Sequence, residues 1–334
     1  MNRVVCALVL ATACGGSRAG TSTPPLSDLG TLDSPDSRGL LARELEADII
    51  DSYARDESLP PPARQLDPSV GGARIGVGPD ELATGFEVVG QPRRWPLTLA
   101  APDHGEVWSK KLEVHVAASG TAGWAVDELS WRITACGRKV VVPLRYTGLF
   151  AREGDRWMPV VEHLSYAVMP GRSIRGPGSA PIEPALGQRA LTLALDAAAA
   201  PLWASRRPIE ATIGIDTLAL GPDLWNELRG DQVRTTPLLA GAADVVTRRA
   251  GALEARGATT TVAYWVGTLR LGAGTPLLRG TLVFERTDRW RVVQAHVSAP
   301  ISDDALAAEV FGSALVTAEP LALDCAALTG AAAP

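Results

Sequence analysis

Asp155-Arg156-Trp157-Met158-Pro159-Val160-Val161-Glu162-His163-Leu164-Ser165 returns later in the chain as Asp288-Arg289-Trp290-Arg291-Val292-Val293-Gln294-Ala295-His296-Val297-Ser298. Both copies read Asp-Arg-Trp, five residues, His, one residue, Ser. Trp157 and Trp290 stand 133 positions apart, about the length of one domain. Upstream of each copy, residues 278–286 match 145–153, and 263–269 match 123–129 at an offset of 140. Gly221-Pro222-Asp223 matches Gly78-Pro79-Asp80 at an offset of 143. Offsets that slide in order are what unequal loops inside collinear repeats produce. The chain reads as one fold written twice.

A length of 334 residues fits two domains, and 46% hydrophobic with 21% charged residues lets each bury an ordinary core. A net charge of −5, with no dense Lys/Arg block, argues against nucleic acid as a partner. No apolar run reaches the roughly 20 residues of a spanning helix. Arg3, the apolar run 4–10 and the small residues Ala11-Thr12-Ala13 precede Cys14-Gly15-Gly16-Ser17. This segment resembles a bacterial lipoprotein signal, which implies cleavage before Cys14 and acylation of its sulfur. Acyl chains there would tether a folded body to the membrane, and by the same resemblance Gly15 points to the outer membrane. The alternative is a plain signal peptide cut after Ala19, giving a secreted or periplasmic protein. In an exported protein Cys136 and Cys325 are free to form a disulfide or to stay as separate buried thiols.

The organisation expected is a signal (1–13), a flexible linker (14–37), a first domain (38–170), a Pro/Gly linker (171–184), a second domain (185–316) and a tail (317–334). Leu41, Leu45, Ile49 and Tyr53 form one helical stripe. A short strand, a turn at Gly78-Pro79 and a helix starting near Asp80 come next. Strands are expected over 111–117, 124–134, 139–151 and 156–168. The second half opens on an Ala/Leu-rich helix over 185–200 and closes on one over 302–316. Helices succeeded by a meandering antiparallel sheet make an α+β order.

The Gly-Pro-Asp turn, the aromatic strand and Trp-x5-His-x-Ser resemble the SnoaL-like branch of the nuclear transport factor 2-like superfamily. In the second copy Pro300 extends the motif; in the first, Ala167 replaces it. The resemblance implies two tandem cone-shaped domains, each with N-terminal helices packed on a curved antiparallel sheet around an open pocket. It implies no single function, because one fold carries many.

The repeat supplies the candidate site residues. Period two places Trp157, Pro159, Val161, His163 and Ser165 on one face, and Trp290, Val292, Gln294, His296 and Ser298 on one face of the other copy. A His beside a hydroxyl can bind an anion or act as a base; equally, it can be structural. Trp124 and Trp265 fall one place apart in the repeat and are core or stacking residues. By resemblance, a buried carboxylate with a raised pKa would carry isomerase chemistry, with Asp127, Glu128 and Glu162 as weak catalytic candidates in the first half alone. His104, His115, His163 and His296 have no metal-ligand spacing, and neither metal nor cofactor is expected. The sequence is read as a lipid-anchored protein, leaning away from catalysis. It would bind a small apolar or amphipathic ligand, or a protein partner. The alternatives are an isomerase or cyclase working from the first pocket, or a scaffold in which the halves or several copies pack together.

Overall fold

A computed structural model describes residues 35–55, 72–85, 93–97, 105–135, 137–168, 212–221, 227–230, 244–253, 262–270, 277–311, 316–318 and 321–323. Helix α1 (Pro35–Arg55) comes first. Seven strands then form the first sheet: β1 (Ala73–Ile75), β2 (Leu82–Thr84), β3 (Glu106–Ser109), β4 (Glu113–Val116), β5 (Ala122–Ala135), β6 (Arg138–Glu153) and β7 (Arg156–Tyr166). Six strands form the second: β8 (Thr212–Leu220), β9 (Glu227–Arg229), β10 (Asp244–Leu253), β11 (Val262–Arg270), β12 (Leu278–Arg286) and β13 (Trp290–Ser298). Helix α2 (Asp303–Phe311) and a hairpin of β14 (Val316–Ala318) and β15 (Leu321–Leu323) complete the described chain.

The two sheets share a plan. The first runs β2-β1-β7-β6-β5-β3, with β4 also on β5; the second runs β9-β8-β13-β12-β11-β10. In each, the first strand lies parallel to the last and the remaining pairs are antiparallel. Strand register fixes the equivalences. Trp124 and Tyr264 pair with Leu149 and Val283, while Arg145 and Arg279 pair with Ser165 and Ser298. Arg279, not Leu278, therefore occupies the place of Arg145, one residue from the match read in the sequence.

The chain is α+β, but the cones expected from the SnoaL-like resemblance are absent. Neither sheet closes or curls on itself, both keep two edges, and each mixes a parallel pair into the antiparallel ladder. Two helices occur among the described residues, and both pack on the same face of the first sheet. The Gly-Pro-Asp turn also differs from expectation. It starts no helix but closes the β1–β2 hairpin, because the Gly76 N–H donates to the Glu81 carbonyl at 2.7 Å and Glu81 N–H to the Gly78 carbonyl at 3.1 Å.

The predicted stripe of α1 is buried: Leu41, Leu45, Ile49 and Tyr53 join Trp131, Tyr146, Trp157 and Leu164 in one apolar core. The same core takes Ile301, Leu306 and Ala307 from beyond the second sheet. Ile301 N–H donates to the Val77 carbonyl at 3.0 Å, and Leu97 N–H to Asp303 Oδ1 at 3.2 Å. The closing helix of the second half thus covers the first. The helix expected over 185–200, Cys14, Cys136 and Cys325 lie outside the described residues.

Candidate functional site

The opposite faces of the two sheets meet each other. Along β5, Ala125, Asp127, Leu129 and Trp131 point to the helices, and Trp124, Val126 and Glu128 to the second sheet, as strand alternation requires. Along β7 and β13 the alternation slips once. Register shifts at Leu149/Phe150 and Val283/Phe284 leave Val160 and Val293 as extra residues. Trp157 therefore enters the helix-side core, whereas His163 and Ser165 face the second sheet. The single face predicted for Trp157 to Ser165, and for Trp290 to Ser298, is split by these bulges.

The facing histidines interlock. His163 and His296 are fully buried, with ring centroids 3.7 Å apart and planes 18° from parallel. Each ring reaches across to two hydroxyls of the opposite sheet. His163 Nε2 lies 2.7 Å from Ser298 Oγ and its Nδ1 3.2 Å from Thr281 Oγ1. His296 Nε2 lies 2.9 Å from Ser165 Oγ and its Nδ1 3.0 Å from Thr147 Oγ1. A neutral imidazole has one donor and one acceptor, and rotatable hydroxyls satisfy both. Burial holds both pKa values well below the usual value, helped by His296 and Arg279 for His163, and by Arg145 and Arg279 for His296. Two neutral rings can stack at this distance without the repulsion of two cations.

The arginines are reciprocal as well. Arg145 Nη1 donates to the Gly221 carbonyl at 3.0 Å, and Arg279 donates to the Gly78 and Gly76 carbonyls, each at 2.7 Å. Each half thus sends an arginine to glycine carbonyls of the other, Gly221 in one direction and Gly76 and Gly78 in the other. Gln294 Nε2 adds a 2.6 Å bond to the Ala125 carbonyl. His163, Ser165, His296 and Ser298 are brought together, while the Trp-x5-His-x-Ser motif contains no hint of Thr147, Thr281, Arg145 or Arg279. The recurrence of Arg and Thr two residues apart in β6 and β12 was the signal available for them.

The carboxylates divide differently. Glu162 faces the helices, where Arg74 Nη2 approaches at 2.7 Å, Arg93 Nη2 at 2.5 Å and the Tyr146 hydroxyl at 3.0 Å. Burial would raise its pKa, but Arg93 and Arg74 outweigh that and hold it well below the usual carboxylate range. A carboxylate so clamped is a poor base. Burial pushes Asp127 up to about 6, against hydrogen bonds from Ser109, Lys111 and Tyr53. The Tyr53 hydroxyl stands 3.3 Å from Asp127 Oδ2, and Lys111 N–H donates to Oδ1 at 3.2 Å. In the second half Gly267 replaces Asp127, and a Cβ there would come within 2.1 Å of the Trp265 ring. Glu128 sits half-buried on the inter-sheet face, register partner of Arg145. The three carboxylates do not converge on one point. Trp265 is fully buried, and Trp290 half-buried.

Two cavities flank these groups. A hollow of about 100 Å³ lies beside Glu162, rimmed by Arg74, Arg93, Arg94 and Glu81. A larger cleft of about 310 Å³ opens between the sheets, lined by Arg38, His115, Trp124, Glu285, Arg291 and Val293 among others. Of the two, the second falls within the range of small-molecule sites, about 300–1,000 Å³. Its charged pair is where the repeat diverges: Glu285 and Arg291 are register partners, and Ala151 and Met158 take their places in the first half.

No family model matches the chain, and no curated protein matches it. Among solved structures, one similar to part of it is a putative calcium/calmodulin dependent protein kinase II association domain from Xanthomonas campestris. It shares 15% identity over 40% of this chain and 81% of that one, with a TM-score of 0.22. Another is a phenazine biosynthesis-related protein from Pseudomonas aeruginosa, with 10% identity over 44% of this chain and 99% of that one and a TM-score of 0.25. Overlaps this loose assign no family. The open sheets, with no family model matching, overturn the SnoaL-like, nuclear transport factor 2-like reading.

Proposed function

We propose that this protein is a non-catalytic, membrane-tethered binder of a small amphipathic ligand, which it takes into the cleft between its sheets. Cys14 is the proposed tether, with the folded body on the periplasmic side of the outer membrane. One observation carries the reading. The histidines, hydroxyls and arginines common to both halves are consumed in joining them, whereas the 310 Å³ cleft carries Glu285 and Arg291, which Ala151 and Met158 replace in the first half. The acid–base candidates support the same conclusion. His163 and His296 are neutral and bonded at both ring nitrogens, Glu162 is clamped by two guanidinium groups, and Asp127 lines neither cavity.

The cleft walls combine apolar surface from Val116, Val292 and Val293 with polar groups at the rim, which is the make-up of an amphipathic site. Filling it should abolish binding. Val293→Trp is expected to remove saturable uptake of an apolar fluorescent probe, while the Arg74→Gln variant, altered at the smaller hollow, keeps it. Equal saturable uptake by wild type and Val293→Trp would place the ligand elsewhere.

A further inference from the structure

The chemistry of the cleft narrows the ligand class, and this step rests on the cleft being the binding site. Two guanidinium groups line it. Arg38, exposed in the first turn of α1, has no ion pair or hydrogen bond among the described residues. Arg291 is half-buried; its Nη2 donates to Thr287 Oγ1 at 2.9 Å, and its Nε is buried with no hydrogen-bond partner. A dry guanidinium N–H without an acceptor is costly, and supplying an acceptor recovers that cost.

One carboxylate shares the cleft. Glu285 is the cross-strand partner of Arg291, so the two side chains leave the sheet on one face, yet no ion pair within 4 Å joins them. Glu285 Oε1 instead accepts the Ala118 N–H at 3.2 Å, a bond between the two sheets. The count of two guanidinium groups against one carboxylate leaves a net charge of +1 at neutral pH. In the same lining, the His115 ring stacks on Trp124 at 5.9 Å between centroids, with Val116, Val292 and Val293 completing the apolar wall. A flat or extended apolar body fits against that wall with an acidic head toward Arg291 and Arg38.

We infer that the cleft selects a small amphipathic carboxylate, its head received by Arg291 and Arg38 and its apolar body lying along Val116, Val292, Val293 and Trp124. Planar, charge-assisted recognition of a carboxylate is what a guanidinium does best. The Met158 and Ala151 equivalents confine this chemistry to one of the two related positions between the sheets.

Three probes of matched chain length separate the possibilities: octanoate, octanol and octylammonium, titrated by calorimetry into the full chain. Octanoate should bind about tenfold or more tighter than octanol, the effect expected of a charge-assisted hydrogen bond. Octylammonium should bind least. Arg291→Gln should erase the preference for octanoate over octanol, and Arg291→Lys should restore part of it. If Arg291→Gln does not fold, Arg38→Gln, at an exposed position, carries the same test with a smaller loss. Equal binding of octanoate and octanol to the wild type overturns the carboxylate assignment and leaves the cleft as a binding site. Binding of none of the three by folded wild type overturns both.

Discussion

His163 and His296 each have two reasons to be immovable: a hydroxyl at each ring nitrogen and the other imidazole stacked against the ring. Removing one ring strands two buried hydroxyls, which costs about 1–3 kcal/mol. His296→Ala and His163→Ala should therefore lower the urea midpoint by similar amounts. Unchanged midpoints would return both residues to the list of pocket groups. The same burial sets a pH dependence. Both folded pKa values are depressed, so the unfolded chain takes up protons that the folded one refuses. Stability is present above the unfolded value, about 6.5, and falls as pH drops below it. The expected slope is about 1.4 kcal/mol per pH unit for each histidine. Asp127 acts in the opposite direction, since its raised pKa favours the folded state as pH falls toward and below about 6. The histidine contribution is isolated by comparing wild type with His163→Gln/His296→Gln between pH 5 and 8. Parallel curves would contradict buried, neutral rings. The histidines were legible in the sequence because they repeat at a fixed distance from Trp and Ser. Their hydroxyl partners were not, because Thr147 and Thr281 lie on the opposite half and period two breaks at Val160 and Val293.

Among the elements, α1 was plainly legible, since four apolar residues one turn apart can only be buried together. The long strands β5, β6 and β7 were legible as apolar, β-branched and aromatic runs bounded by turn residues. The β1–β2 hairpin was not, and its turn resembled a helix start. A Gly-Pro pair marks a turn without specifying the element after it, and here Glu81 Oε2 accepts the Gly78 N–H at 3.0 Å to close the loop. Helix α2 was still less legible. Its sequence position assigns it to the second half, yet Leu306 and Ala307 are fully buried in the core beneath α1. Nothing local to residues 303–311 identifies which sheet they will cover, because that is decided by contacts over 200 residues away, as between Asp303 and Leu97. Leu306→Ala should cost about 2–5 kcal/mol through the cavity it leaves. The loss should appear in the melting of the first sheet, read from hydrogen exchange of β5 and β6. Exchange confined to the second sheet would contradict the crossover.

Across the whole molecule, the repeat is a two-fold device built within one chain. Each half donates a histidine, two hydroxyls and an arginine to the same joint, in equivalent strand positions. The rim adds the exposed pair of Arg229 and Glu113 at 2.6 Å, which contributes little beside the buried bonds. That joint explains why the sequence disclosed a duplication more readily than a function. Selection for mutual fit leaves identical residues in both copies, whereas a ligand site needs them in one, and a single copy has no repeat to mark it. Arg291 and Glu285 were therefore invisible until register paired them where the first half pairs Met158 with Ala151.

If Trp-x5-His-x-Ser joins the halves and is not an active site, the halves should hold together without a covalent link. The direct experiment is to place a protease site within the Pro/Gly stretch 171–184, cut the purified chain, and weigh the product by light scattering under native conditions. The two fragments should remain one particle of unchanged mass, and should separate more readily when His163 and His296 are both replaced by alanine. Release of two folded monomers from the otherwise unaltered protein would contradict a joint built on the paired histidines.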